Sequence, residues 1–182
     1  HHAGHQGFIL ALEADIDATR LLYRTVTLQP RVSAAIRVSS VAVGSSVGFV
    51  EFAIAKRARS ANSIQGYGST QTGGVKEIRT VPSVTLDSLL DHFPPPSVLK
   101  IDVEGAEWEV MKGAERVFST HRPVVYCEVS KYNQKQVAKY FAERNYRLYE
   151  GGQYAGPDSA AVDYCCFDTV AIPAENMADK KL

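Results

Sequence analysis

Cysteine is scarce in this chain, neither sign of charge prevails, and no long hydrophobic run occurs. The three cysteines are Cys127 and the adjacent Cys165 and Cys166, and none has C-x-x-C spacing. That leaves neither a zinc-ribbon pattern nor a disulfide framework, so the thiols read as reduced and the protein as cytoplasmic. Twenty basic residues balance twenty acidic ones. Such balance gives no global field for nucleic acid or an anionic membrane, and no nucleic-acid partner is expected. No apolar stretch approaches the roughly 18 residues of a membrane span, so no transmembrane segment is expected. No secretory signal is visible either. The chain lacks an initiator methionine and opens His1-His2-Ala3-Gly4-His5. Three close histidines could hold a metal, but a tag remnant, a tail or a fragment boundary is the plainer reading, and no metal site is expected.

What is present suffices for a core. Of 182 residues, 45% are hydrophobic, and the length fits one domain by a prior of roughly 150 residues per domain. The expected organisation is a tail or fragment boundary over 1–6, a domain over 7–173 and a C-terminal tail over 174–182. Apolar runs at 8–12, 36–43, 49–54, 98–103, 123–129, 146–149 and 166–172 read as strands. Asp15 can cap a helix that places Ala18, Leu21, Leu22 and Thr25 on one face. Residues 56–74 are rich in Ser, Gly, Asn, Gln and Arg and read as a long polar loop. Residues 75–84 alternate and are interrupted by Pro82. A short helix starting at Thr85 or Asp87 is ended by Pro94-Pro95-Pro96. Val110, Met111, Ala114, Val117 and Phe118 form one core-facing helical stripe, and Val137, Tyr140, Phe141 and Arg144 mark another helix. Helices alternating with buried strands predict an α/β fold with a mostly parallel sheet. The last two strands have no helix between them, which predicts a C-terminal antiparallel hairpin.

The chemistry concentrates at 98–107, V-L-K-I-D-V-E-G-A-E. Val98, Leu99, Ile101 and Val103 read as a buried strand of the parallel kind. Asp102, Glu104 and Glu107 then fall at its carboxyl end and on the first turn of the next helix. That edge is where open α/β sheets bind ligands. Carboxylates there can accept hydrogen bonds from a substrate, ligate a divalent metal or act as general bases. They can equally be helix-start acids that complement the macrodipole. Glu13 and Glu128 end two other strands. Lys100 can orient one of these carboxylates or simply face solvent. Gly105 permits a close approach of backbone to ligand, and a plain tight turn explains it as well.

Several stretches resemble the FkbM-type methyltransferases: T-L-D-S-L-L (85–90), L-K-I-D-V-E-G-A-E (99–107), K-G-A-E (112–115) and R-P-V-V-Y-C-E-V (122–129). The earlier A-L-E-A-D (11–15) resembles that family's second strand. The resemblance runs from about residue 7 to residue 172. It implies a Rossmann-like class I methyltransferase sheet, S-adenosylmethionine as cofactor, and O-methyl transfer to a small-molecule, sugar or lipid acceptor. By the same resemblance Glu13 would hold the cofactor's ribose, and Ala42 and Val43 would border its adenine. Asp102 would lie beside both cofactor and acceptor. Methyl transfer to a hydroxyl is an in-line displacement that needs alignment and removal of a proton. Asp102 is the first candidate for that base or for acceptor orientation. Glu104 and Glu128 come next, as acceptor-site ligands or as metal ligands alongside Asp102.

One departure from the family is large. Its N-terminal strand ends in a D-x-G-A-N-x-G loop that wraps the methionine part of the cofactor, and no such stretch exists here. Gly4 and Gly7 precede the first strand, while Gly66, Gly68, Gly73 and Gly74 lie in the polar loop. The missing strand would sit between those ending in Glu13 and Asp102. A partial chain is therefore expected, with a gap or a direct pairing at that place. The alternatives are a non-catalytic binding module that kept the fold and lost the cofactor, and a metal-dependent hydrolase using Asp102, Glu104 and Glu128. For the latter, His92 and His121 fall in or next to loops.

Overall fold

The apolar run Phe8–Leu12 extends as β1 and pairs in parallel with β2 (Ala35–Ser39), from Phe8 opposite Ala35 to Leu12 opposite Ser39. A parallel pair needs a crossover, and α1 (Ile16–Thr27) lies within it. Asp15 caps α1 by accepting the Asp17 N–H at 3.0 Å. The inward face of α1 centres on buried Thr19 with half-buried Ala18 and Leu22, and Leu21 is 58% exposed instead of sharing it. The computed structural model describes residues 6–29, 34–57, 61–68, 73–154, 156 and 158–176. The His1–His5 opening and residues 177–182 of the expected C-terminal tail lie outside these.

A second sheet has the order β3-β6-β4-β5, from β3 (Ala42–Val43), β4 (Gly48–Ala55), β5 (Ser63–Ile64) and β6 (Val75–Val84). The run expected as one strand over 36–43 is thus broken at Ser40 and Val41. Its first part stays with β1, and Ala42–Val43 joins β6 in parallel. β4 and β6 are antiparallel, with a bulge between Ile54 and Ala55. β5 gives the polar loop a strand of its own on the free edge of β4. Ala42, Phe52, Ile54 and Val81 form the small core beneath.

The third sheet has the order β7-β8-β10-β9. β7 (Val98–Ile101) and β8 (Val124–Glu128) are parallel, and β10 (Asp168–Pro173) runs antiparallel to β8 and to β9 (Tyr146–Glu150). The expected C-terminal hairpin is present, with β10 placed between β8 and β9. Val125, Ile101 and Ala171 join Val110, Met111, Val117, Phe118, Val137 and Phe141 in the main core, all at 5% exposure or less. The helical stripe is therefore buried as its spacing predicts, but it is not one helix. α3 (Glu107–Lys112) stops at Gly113, where a Cβ would meet the Gly44 carbonyl oxygen at 2.2 Å. The chain continues through a π turn at Val117–His121 before β8 and then α4 (Gln134–Glu143). The short α2 (Leu86–Leu89) starts at Thr85, which exchanges reciprocal capping bonds with Ser88.

The α/β class is as expected, but one mostly parallel sheet is not what forms. Three strand pairings are parallel and four antiparallel, spread over three sheets. The insertion carrying β4 to β6 contributes three antiparallel strands, with β4 between β5 and β6. In addition, β1 has only β2 as a strand neighbour and β7 only β8 among the described residues. The two parallel halves are left unbridged: a gap stands where a direct pairing was the other expectation.

Candidate functional site

The carboxyl ends of β1 and β7 converge on a cavity of about 380 Å³. Leu12 leads into Glu13 at one end, and Ile101 leads into Asp102 at the other. Glu13, Asp102 and Glu104 line the cavity, and Ala42, Val43, Phe52 and Ile64 give it an apolar wall. Five of the six residues singled out from sequence thus meet at one place. The sixth, Glu128, ends β8 outside the lining and reaches the site through Lys100. The Lys100 ammonium is 2.7 Å from Glu128 Oε1 and 3.4 Å from Asp102 Oδ2. Of its two expected roles, holding carboxylates is the one found.

Glu13, Asp102 and Glu104 each resist ionisation. Burial raises Glu13 above the ordinary range, with the charges of Asp15 and Asp102 adding to it, against the Asp15 N–H that Glu13 Oε1 accepts at 2.7 Å. The Ala14 N–H also acts on this carboxylate and lowers its proton affinity. Burial also raises Asp102; Lys100 opposes this and the Glu128 charge reinforces it. Glu104 is raised by burial and then by the charges of Asp102, Glu128 and Glu107. Burial acts against the Lys100 ammonium, but the bond to Glu128 and the Asp102 charge outweigh it and hold Lys100 above its ordinary value.

The turn after β7 is closely packed. Glu104 and Gly105 have φ of 49° and 103°. A Cβ on Gly105 would come within 2.0 Å of the Tyr132 hydroxyl oxygen and 2.7 Å of Gly68 N, so only glycine fits. Gly68 belongs to the polar loop, which reaches over the site. Tyr67 fastens that loop to α3 by donating to Glu109 Oε1 at 2.9 Å, and Ser45 donates to Glu109 Oε2 at 2.7 Å. On the other flank, Asp15 accepts from Asn62 Nδ2 at 2.9 Å and from Arg79 at 3.2 Å. The insertion is thereby pinned to the corner between β1 and α1.

Sequence reasoning missed Asn62, Arg79, Ser130 and Asn133, and it left Glu107 open between a ligand-facing carboxylate and a helix-start acid. Glu107 does open α3, but it is buried there, accepting from Ser130 Oγ and Asn133 Nδ2. The one local signal was the polar S-K-Y-N (130–133) between a buried strand and a helix. Among the described residues, no three His, Cys, Asp or Glu side chains are grouped so as to hold a metal ion. Nor is any described helix long and apolar enough to cross a membrane.

Comparison with known families matches residues 2–148 to the Methyltransferase FkbM domain. No curated protein matches the chain, and no solved structure does. The matched span takes in the strand ends that carry Glu13, Asp102 and Glu128, together with the insertion between them. The chain belongs to the FkbM methyltransferase family.

Proposed function

We propose that this domain transfers a methyl group from S-adenosylmethionine to a hydroxyl group of a small molecule, sugar or lipid. The observation that carries the reading is the meeting of Glu13, Asp102 and Glu104 on one cavity whose opposite wall is apolar. Glu13 fits the ribose: it is half-buried, ends β1 and lines the cavity. A carboxylate there takes ribose hydroxyls in charge-assisted hydrogen bonds. Ala42 and Val43 offer the apolar border that an adenine ring requires. The acidic lining suits a sulfonium cation. No glycine-rich turn for the methionine end adjoins the cavity among the described residues. The edges of β1 and β7 that pair with no strand among the described residues support a larger sheet, of the Rossmann-like kind, in which one more strand supplies that turn. Three free thiols are in keeping with a reducing, cytoplasmic setting.

When bound, the cofactor supplies the electrophilic methyl group. The chain's own residues then align the acceptor and take its proton. Asp102 is the base: it lines the cavity and stays open to solvent, with its side chain 45% exposed. Its raised proton affinity favours receiving a proton from a hydroxyl as that oxygen attacks. Lys100 fixes the Asp102 carboxylate and neutralises Glu128 behind it. Glu104, on the same wall, accepts a hydrogen bond from the acceptor and turns its oxygen toward the methyl donor.

The test is S-adenosylhomocysteine formation from S-adenosylmethionine in the presence of hydroxylated acceptors. Asp102→Asn keeps the side-chain shape and removes the charge. Its acceptor-dependent turnover should fall by about 10²–10⁴-fold, the usual loss for a general base. Full turnover in Asp102→Asn would remove it from the mechanism. A native chain that neither binds nor consumes S-adenosylmethionine would be a non-catalytic module.

A further inference from the structure

Glu107 is the one carboxylate of the 98–107 stretch that is sealed from solvent, at 2% exposure. No cation forms an ion pair with it among the described residues. A buried carboxyl group of that kind is tolerated only where hydrogen bonds replace its water. Its Oε1 accepts the Gly105 N–H at 2.7 Å, and its Oε2 accepts from Ser130 Oγ and Asn133 Nδ2, each at 2.6 Å. Asn133, itself 3% exposed, also donates from Nδ2 to the Gly105 carbonyl at 2.9 Å. Both polar backbone groups of Gly105 are thus held, the N–H by Glu107 and the C=O by Asn133. Packing alone does not account for this choice, because an apolar side chain would fill the space without the desolvation cost.

What the network holds is the least relaxed backbone near the cavity. Glu104 lies in the left-handed region, which a side chain with a Cβ adopts reluctantly. Such a conformation lasts only when its surroundings over-determine it. Glu107 and Asn133 fasten the residue next to it, and through Ser130 they join the turn after β7 to the segment after β8. These are the two strand ends that carry Asp102 and Glu128.

We propose that Glu107, with Asn133 and Ser130, is a positioning device that locks the 104–105 turn so that the Glu104 carboxylate faces the cavity beside Asp102. The importance of that position rests on the methyltransferase reading; the clamp itself rests on the hydrogen bonds. Glu107 touches neither substrate nor cofactor and acts through Glu104.

The test uses Asn133→Ala and Ser130→Ala, which each delete one donor and keep the Glu107 side chain. The readout is the Glu104 carboxyl titration, followed by carbon-detected NMR in the folded chain. In the native chain Glu104 titrates above its ordinary value of 4.5, held there by burial and by Asp102, Glu128 and Glu107. Asn133→Ala should release the turn and let Glu104 titrate close to its ordinary value, with the same change, smaller, in Ser130→Ala. Ser130 is only half-buried, so that variant folds if Asn133→Ala does not. A network that merely stabilises the fold would lower the melting temperature and leave the Glu104 titration unmoved, and that result overturns the proposal. A moved titration in a chain that binds no S-adenosylmethionine would uphold the clamp while rejecting the methyltransferase reading.

Discussion

Glu13 and Asp102 end two strands that share no ladder, yet both carboxylates line one cavity and the charge of Asp102 reaches Glu13. Burial raises Glu13 first, and Asp15 and Asp102 add to it. Its carboxylate therefore takes up a proton at a higher pH than an ordinary glutamate does. S-adenosylmethionine affinity should fall as pH is lowered through that raised value, while the fold remains intact. Glu13→Gln should flatten this dependence and cost about 1.5–3 kcal/mol of binding at neutral pH, the range for a hydrogen bond to a charged group. Calorimetric titrations across pH check both, and an unchanged dissociation constant would reduce Glu13 to a local cap.

Lys100 bridges Glu128 and Asp102 at the exposed end of β7. Removing the cation in Lys100→Met leaves the two carboxylates facing each other, so Asp102 should hold its proton to higher pH. The acid limb of the methyl-transfer profile should then move upward. Stability should change by less than about 1 kcal/mol, because exposed ion pairs contribute little. A profile identical to that of the native chain would mean that Lys100 does not act on Asp102.

The acidic cavity also works against the fold at neutral pH. Glu104 has a folded-state pKa above its unfolded value. The folded state therefore holds that proton more tightly, so the contribution to stability is fully present below the unfolded pKa and is lost as pH rises through the folded one. Glu104→Gln should raise the melting temperature at pH 7. The advantage should vanish below about pH 4, where both states are protonated. Thermal melts at the two pH values decide it.

Asp15 is buried and serves the α1 cap, Asn62 and Arg79 together. Asp15→Ala should lose about 1 kcal/mol as a cap and about 1–3 kcal/mol more by leaving buried partners unpaired. Asp17→Ala, at an exposed and partly redundant ion pair, should cost less than about 1 kcal/mol. Denaturant unfolding of both variants measures the difference, and equal losses would contradict the role given to Asn62 and Arg79.

Where a segment's fate depends on its neighbours in sequence, it is legible from sequence. The runs that become β1, β4, β7, β8 and β10 are apolar stretches bounded by turn residues, and the stripe from Val110 to Phe118 announces its burial by spacing alone. The partition into three sheets is not legible, because pairing partners are not written in local periodicity. The break at Gly113 is set by the Gly44 carbonyl, which arrives from another sheet. For the site, strand-end position is enough to bring Glu13, Asp102 and Glu104 together. It does not distinguish Glu107 from Glu104, since the two differ only through Ser130 and Asn133 after the next strand. The expected helix face of Leu21 and Thr25 fails because α1 lies at an edge and only the Thr19 side of it is covered.

The central claim is that the cavity between Glu13 and Asp102 holds S-adenosylmethionine. Titrating the native chain with S-adenosylmethionine by calorimetry at neutral pH tests it most directly. Saturable binding of one equivalent is expected, weakened in Glu13→Gln and displaced by S-adenosylhomocysteine. Heats that never saturate, or binding that is indifferent to Glu13, would contradict it.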